Sequence, residues 1–95
     1  MEIKAEKNRF YVENEKQEKL AHISYQVESD DIIVANSTFV DPSLRGKGMA
    51  KKLLDRLAAY ARENNLKIRP LCSYVVTAFE RYEEYSDVKL EETAR

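Results

Sequence analysis

Apolar residues alternate with polar ones in the first half of the chain and recur at helical spacing in the second. From Leu20 to Val27, Ala21, Ile23, Tyr25 and Val27 fall on one side and His22, Ser24 and Gln26 on the other. That period of two is the signature of a strand with one face buried. Arg9-Phe10-Tyr11-Val12 is a shorter β-rich run, followed by a polar turn from Glu13 to Glu18. After Glu28-Ser29-Asp30-Asp31, a third extended stretch opens on Ile32-Ile33-Val34 and continues to Val40. Its start is apolar on both faces, as expected of a central strand covered on both sides. These three segments predict an antiparallel meander.

The period then changes. Between Gly48 and Asn64, Met49, Leu53 and Leu57 recur beside Leu54, Ala58 and Ala61, while Lys51, Lys52, Asp55, Arg56 and Arg62 form the wet face. This is one amphipathic helix. Asn64-Asn65 suits its C-terminus, because asparagine tolerates the left-handed conformation. Leu66 to Cys72 reads as a strand with Pro70 inside it. Proline cannot donate to a ladder, so it belongs at an edge or where strands part. Ser73 is a good N-cap for a last helix from Tyr74 to about Tyr85. Val88-Lys89-Leu90 offers a final short strand. The order β-β-β-α-β-α points to an α+β fold, a mixed sheet with helices packed on it.

At 95 residues, positions 1–95 are expected to form one domain with a small core. The charge is dense but balanced, with a formal net charge of −1. A nucleic-acid partner would call for a basic excess, so none is expected. No apolar run approaches the roughly 18 residues of a membrane span, and Met1-Glu2-Ile3-Lys4 has no apolar signal region. With a single cysteine, Cys72, an intramolecular disulfide is impossible, and a cytoplasmic protein is the simple expectation. No metal site is expected.

The richest segment is Phe39-Val40-Asp41-Pro42-Ser43-Leu44-Arg45-Gly46-Lys47-Gly48-Met49-Ala50, between a strand and the long helix. A helix N-terminus leaves backbone N–H groups unpaired and carries partial positive charge, which suits a phosphate. Glycines let the backbone take positive φ and approach a ligand closely. Arg45 and Lys47, with Lys51 and Lys52 one turn on, add cations. A plain turn with solvated lysines is the alternative. The Gly-x-x-x-x-Gly-Lys-Ser/Thr spacing of nucleotide hydrolases is missing.

Arg45-Gly46-Lys47-Gly48-Met49-Ala50 matches the Arg/Gln-x-x-Gly-x-Gly/Ala signature of the GNAT acetyltransferase superfamily. The context matches too: an extended strand before it, an amphipathic helix ending in Ala-Arg-Glu-Asn-Asn-Leu-Lys, and Leu71-Cys72-Ser73-Tyr74 after the next strand. The chain therefore resembles the small single-domain GNAT-like proteins along nearly its whole length. The resemblance implies two central parallel strands that splay apart, with coenzyme A between them. Its pyrophosphate would lie on Arg45, Gly46, Lys47, Gly48, Met49, Ala50 and Lys51, and its pantetheine arm would bond the backbone near Phe39 and Val40. It also implies an acetyl-CoA-dependent N-acetyltransferase acting on a small amine or a protein lysine.

Acetyl transfer needs a deprotonated nucleophile, stabilisation of the oxyanion and a proton for the leaving thiolate. Ala78-Phe79-Glu80-Arg81-Tyr82-Glu83 resembles the family's last helix, which would make Tyr82 the proton donor. Val75 stands where the family carries asparagine, and packing beside Val75 and Phe79 is the other role open to Tyr82. Cys72, just before a helix start, is the second catalytic candidate. A helix N-terminus lowers a thiol's pKa, so Cys72 could accept the acetyl group and pass it on, or could simply be a small buried hydrophobe. His22, the only histidine, reads as a surface imidazole. Ser37 stands where relatives of this small family carry histidine, next to Thr38. Tyr60 and Tyr85 read as packing residues. The N-terminal helices with which larger GNAT enzymes build an acceptor site are expected to be missing, because the sequence opens almost directly on a strand. A coenzyme A-binding module without turnover is accordingly the alternative to an enzyme.

Overall fold

The computed structural model describes residues 2–91. Five strands form one sheet in the order β1-β2-β3-β4-β5: β1 Lys4–Glu6, β2 Arg9–Glu13, β3 Lys19–Ser29, β4 Ile32–Val40 and β5 Lys67–Pro70. Neighbours among the first four run antiparallel, and β5 runs parallel to β4. Helix α1, Met49–Glu63, makes the crossover between those parallel strands, and α2, Ser73–Arg81, follows β5. The expected mixed α+β sheet is present, and the meander has one strand more than the sequence pattern indicated. β1 escaped notice because all three of its residues are exposed at the sheet edge, so it carries no alternation.

The buried strand residues lie on one face: Phe10 and Val12, Ala21, Ile23 and Tyr25, Ile33 and Ala35, then Ile68. Against them α1 packs Met49, Leu53, Leu54, Leu57, Ala58 and Ala61. Leu53, Leu54 and Leu57 are fully buried, and each contributes about 1.5–3 kcal/mol of transfer free energy. The opposite face of the sheet carries no helix among the described residues. Ile32 and Val34, expected to be covered on both sides, are half-buried there. Phe39 stands 42% exposed.

The first helix ends as expected: Asn64 is its C-cap, its side-chain amide donating to the Tyr60 carbonyl at 2.8 Å, and Asn65 takes the left-handed turn at φ 57. The second helix is shorter than its apolar pattern suggests. Cys72, not Ser73, is its N-cap, and it stops at Arg81, with Tyr82 already extended. A separate 3-10 turn, Glu83–Tyr85, carries Tyr85 back into the core. Val88-Lys89-Leu90 is no strand. It makes a single parallel bridge to Ile68, with Ile68 N–H donating to Val88 O at 2.7 Å and Leu90 N–H to Ile68 O at 3.0 Å.

Candidate active site

The parallel pairing of β4 with β5 is short. Its register runs from Ile32 beside Lys67 to Ala35 beside Pro70 and stops there. The Ala35 carbonyl accepts from both Leu71 N–H, at 3.1 Å, and Cys72 N–H, at 3.0 Å, as the chain leaves β5 for α2. Proline ends the ladder because it has no N–H to give. β4 runs on to Val40 paired only with β3. Among the described residues, positions 36–40 thus have no strand on their other side, and the sheet splits open as the resemblance implied.

The backbone polarity of that open edge follows from the antiparallel ladder. Asp41 N–H donates to Leu20 O at 2.7 Å. Counting back by twos, Phe39 and Ser37 turn their backbone groups toward β3, while Val40 and Thr38 turn theirs into the gap. Arg45 Nε already reaches the Val40 carbonyl at 3.3 Å, and the Thr38 N–H is directed at Cys72. Of the two positions expected to bond a pantetheine arm, Val40 therefore faces the gap. Phe39 does not, and its ring lies on the uncovered face, centroid to centroid 5.9 Å from His22.

Beyond Val40 the chain is pinned before it reaches the glycines. The Asp41 carboxylate accepts from Ser43 N–H at 3.0 Å and from Ser43 Oγ at 2.7 Å. The Ser43 hydroxyl and N–H hold Asp41 below the usual carboxylate range. This locks a short 3-10 turn, Pro42–Leu44, that drops Leu44 into the core. Gly46 and Gly48 then take φ 81 and φ 73, a region that costs other residues strain. A Cβ built on either would meet no protein atom within 4 Å. The space in front of both glycines is open to a ligand. The first intrahelical bond is Lys52 N–H to Gly48 O at 3.1 Å, so the N–H groups of Met49, Ala50 and Lys51 have no acceptor within the helix.

These elements close around a cavity of about 390 Å³ lined by Val40, Leu44, Arg45, Gly46, Gly48, Met49, Ala50, Lys51, Tyr74 and Tyr82. Its size falls in the range of small-ligand sites. Lys47 is exposed and does not line it. Lys51 does, but its ammonium is shared out: Glu84 Oε2 lies 2.6 Å away, Asp55 Oδ1 3.4 Å away and the Tyr82 ring centroid 4.9 Å away. The hydrogen bond to Glu84 raises the lysine's pKa. Tyr82, half-buried just past the end of α2, packs against the core with its ring edge-on to Tyr85 and also lines the cavity opposite the glycine turn. Tyr85, by contrast, is 1% exposed against Phe79, with its hydroxyl donating to Asp55, a packing role as expected.

Cys72 does not line this cavity; it is the half-buried N-cap of α2, with Sγ 3.4 Å from Thr38 Oγ1. Burial pushes the thiol up. The Thr38 hydroxyl and the N–H groups of Val75, Tyr74 and Thr38 outweigh that and leave it below its ordinary value. Hydrogen bonds to the thiolate are what favour it here. The sequence pattern assigns no site role to Thr38, Tyr74 or Glu84. Glu84 is 33 residues from Lys51, and only the packing of the 3-10 turn on α1 joins them.

A mixed sheet split at its parallel pair, with a glycine turn and helix at the mouth of the split, is the architecture of an acyl-CoA N-acyltransferase. The chain matches the GCN5-related N-acetyltransferase family over residues 9–88 and belongs to it. It is an N-acetyltransferase domain of that family, whose acetyl donor is acetyl-CoA. Its structure is similar to that of a GCN5-like N-acetyltransferase candidate from Staphylococcus aureus, with TM-score 0.82 and 37% identity over 99% of this chain and 92% of that one. Tetrahymena GCN5 shares the fold at TM-score 0.62 and 9% identity, over 95% of this chain and 65% of its own. So does a Mycobacterium tuberculosis protein solved in complex with CoA, at TM-score 0.55 and 22% identity, over 64% of this chain and 39% of its own. No curated protein matches the chain.

Proposed function

We propose that this domain binds acetyl-CoA in the split of its sheet and transfers the acetyl group to a primary amine, either a small amine or a protein lysine. The observation that carries this is the continuity of the open β4 edge with the turn. Backbone groups of Thr38 and Val40 point into the gap, and the chain then delivers two left-handed glycines and an uncapped helix start to one cavity. A pantetheine amide can pair with the edge as a strand would. The pyrophosphate can take the N–H groups of Met49, Ala50 and Lys51 with the Arg45 guanidinium.

Acetyl-CoA supplies an acyl group activated by a thiolate leaving group, and the protein residues handle binding and protons. Tyr82, with its ring on the cavity wall beside Lys51, is the proton donor for the departing sulfur. Cys72 offers a second route through its stabilised thiolate, in which its Sγ takes the acetyl group before an amine does. The uncovered sheet face also favours a second reading, binding without turnover, because no element among the described residues forms an acceptor pocket on it.

Calorimetry with CoA and acetyl-CoA tests the first step. Micromolar binding that Gly48→Asp abolishes supports it, because a carboxylate there adds bulk and like charge beside the pyrophosphate. No binding by the parent protein would make the turn purely structural. Thiol release on adding an amine then separates enzyme from module.

A further inference from the structure

We propose that His22 is the proton acceptor for the incoming amine, reached through the Ser37 hydroxyl. The inference rests on the acetyl-transfer reading above and extends it to the acceptor side. The two β4 neighbours Ser37 and Thr38 point to opposite faces of the sheet. Thr38 faces the helices and touches Cys72 at 3.4 Å. Ser37 faces the uncovered side, where its Oγ lies 3.4 Å from His22 Nε2. His22 stands across from Phe39 in the β3–β4 register, and Ser24 stands across from Ser37. The imidazole thus sits one strand in from the gap, on the face left free for an acceptor once the donor fills the helix side. Ser37 lies between it and the open edge.

The groups around the ring suit a base. Arg9 and Tyr11 flank it from β2 and Glu6 from β1, while β4 presents only Ser37 and Phe39. Burial first, and the charge of Arg9 second, hold the imidazole below its ordinary value against the weaker opposing effect of Glu6. Both effects favour the neutral imidazole, the form able to accept a proton. Of the titratable groups on that face, the histidine alone changes charge near neutrality in its ordinary range.

The proton balance closes. An amine arrives as its ammonium ion and loses one proton through Ser37 Oγ to His22 Nε2, which frees the nitrogen lone pair. The N–C bond forms and the C–S bond breaks, with the sulfur keeping the bonding pair and taking a proton from Tyr82. The second nitrogen proton re-protonates that phenol through solvent. His22 discharges its proton to water on the open face. The sum is ammonium plus acetyl-CoA giving amide, free thiol and one proton.

The test measures thiol release from acetyl-CoA with ethylamine across pH, alongside acetyl-CoA binding by calorimetry. His22→Gln is expected to bind acetyl-CoA as the parent does, to lose about 100-fold or more in rate at pH 7, within the range for general bases, and to lose the fall in rate that the parent shows as pH drops through the histidine's pKa. Two further outcomes are expected. Added imidazole restores rate to His22→Ala. Ser37→Ala, which keeps the imidazole but removes the hydroxyl that links it to the gap, slows the reaction and flattens the same acid limb, and unchanged acetyl-CoA binding by each variant separates these losses from a folding defect. A parent-like rate and pH profile in His22→Gln would overturn the assignment and leave acetyl transfer standing. A parent protein that binds acetyl-CoA yet releases no thiol would instead overturn the transfer itself, and this role with it.

Discussion

Gly48→Ala separates what the glycine turn does for the fold from what it does for a ligand. Gly48 sits at φ 73 as the N-cap of α1, and an added Cβ would meet no protein atom within 4 Å. The folded protein therefore suffers no clash, only the left-handed strain of an L-residue, about 1–2 kcal/mol. For a domain of this size each kcal/mol lowers Tm by about 4–8 °C, so the variant should fold and melt measurably earlier. The same methyl would stand in the open space at the turn, beside the N–H groups of Met49, Ala50 and Lys51 on which the pyrophosphate is proposed to lie. Affinity for CoA should fall about tenfold or more, equivalent to about 1.4 kcal/mol. Acetyl-pantetheine, which lacks the pyrophosphate, should bind as before. Asn65→Ala, at φ 57 beyond the other end of the same helix, is the control: it carries strain of the same kind and should leave CoA affinity alone. Thermal unfolding and calorimetry on the same samples give both readings. A lower Tm with unchanged CoA affinity would refute the cradle.

Glu84→Gln should tighten CoA binding several-fold, most at low salt, because it releases the Lys51 ammonium now held 2.6 Å from the Glu84 carboxylate beside the cavity; unchanged titrations would mean that Lys51 stays out of the ligand's reach. The alkylation rate of Cys72 should reach half-maximum at a pH below that of an ordinary thiol, Thr38→Val should move that midpoint up, and intact mass after acetyl-CoA incubation should show an adduct that Cys72→Ala lacks. A parent-like midpoint in the valine variant would remove Thr38 as the cause. On acidification, Arg62 holds Asp87 and Arg69 holds Glu28 below the usual carboxylate range. The stability that these pairs add is present above the unfolded carboxylate values and lost as pH falls through the folded ones. Asp87→Asn should therefore flatten part of the acid limb of a Tm-against-pH curve and leave the neutral-to-basic part level.

Periodicity carried the fold wherever a segment has one wet and one dry face. β3 and α1 were legible for that reason, and Pro70 marked where the ladder ends. β1 has no dry face, and its place comes only from pairing with β2. The second helix was overextended because Phe79, Tyr82 and Tyr85 keep helical spacing, although the chain leaves the helix between them and enters a 3-10 turn. The same break leaves Tyr82 at the border of the core and on the cavity wall while Tyr85 stays buried. Local spacing could not foresee that, because the choice is made by tertiary contacts: Lys51 with Glu84, and Tyr85 with Asp55.

The glycine turn was legible as chemistry because its residues are contiguous, whereas the rest of the site is assembled across strands. Thr38 meets Cys72 from 34 positions away and Ser37 meets His22 from 15. The bulge between Ser24 and Tyr25 shifts the β3–β4 register, and β4 therefore changes parity at Asn36: Ala35 is buried on the helix side, yet Thr38 faces that same side and Ser37 does not. Without the extra residue, Thr38 would point away from Cys72, and Ser37 would face the helices instead of His22. One irregularity in the ladder thus aligns both halves of the proposed site. The thiol partner falls on the donor face and the hydroxyl relay on the acceptor face, at adjacent residues of β4 along its open edge.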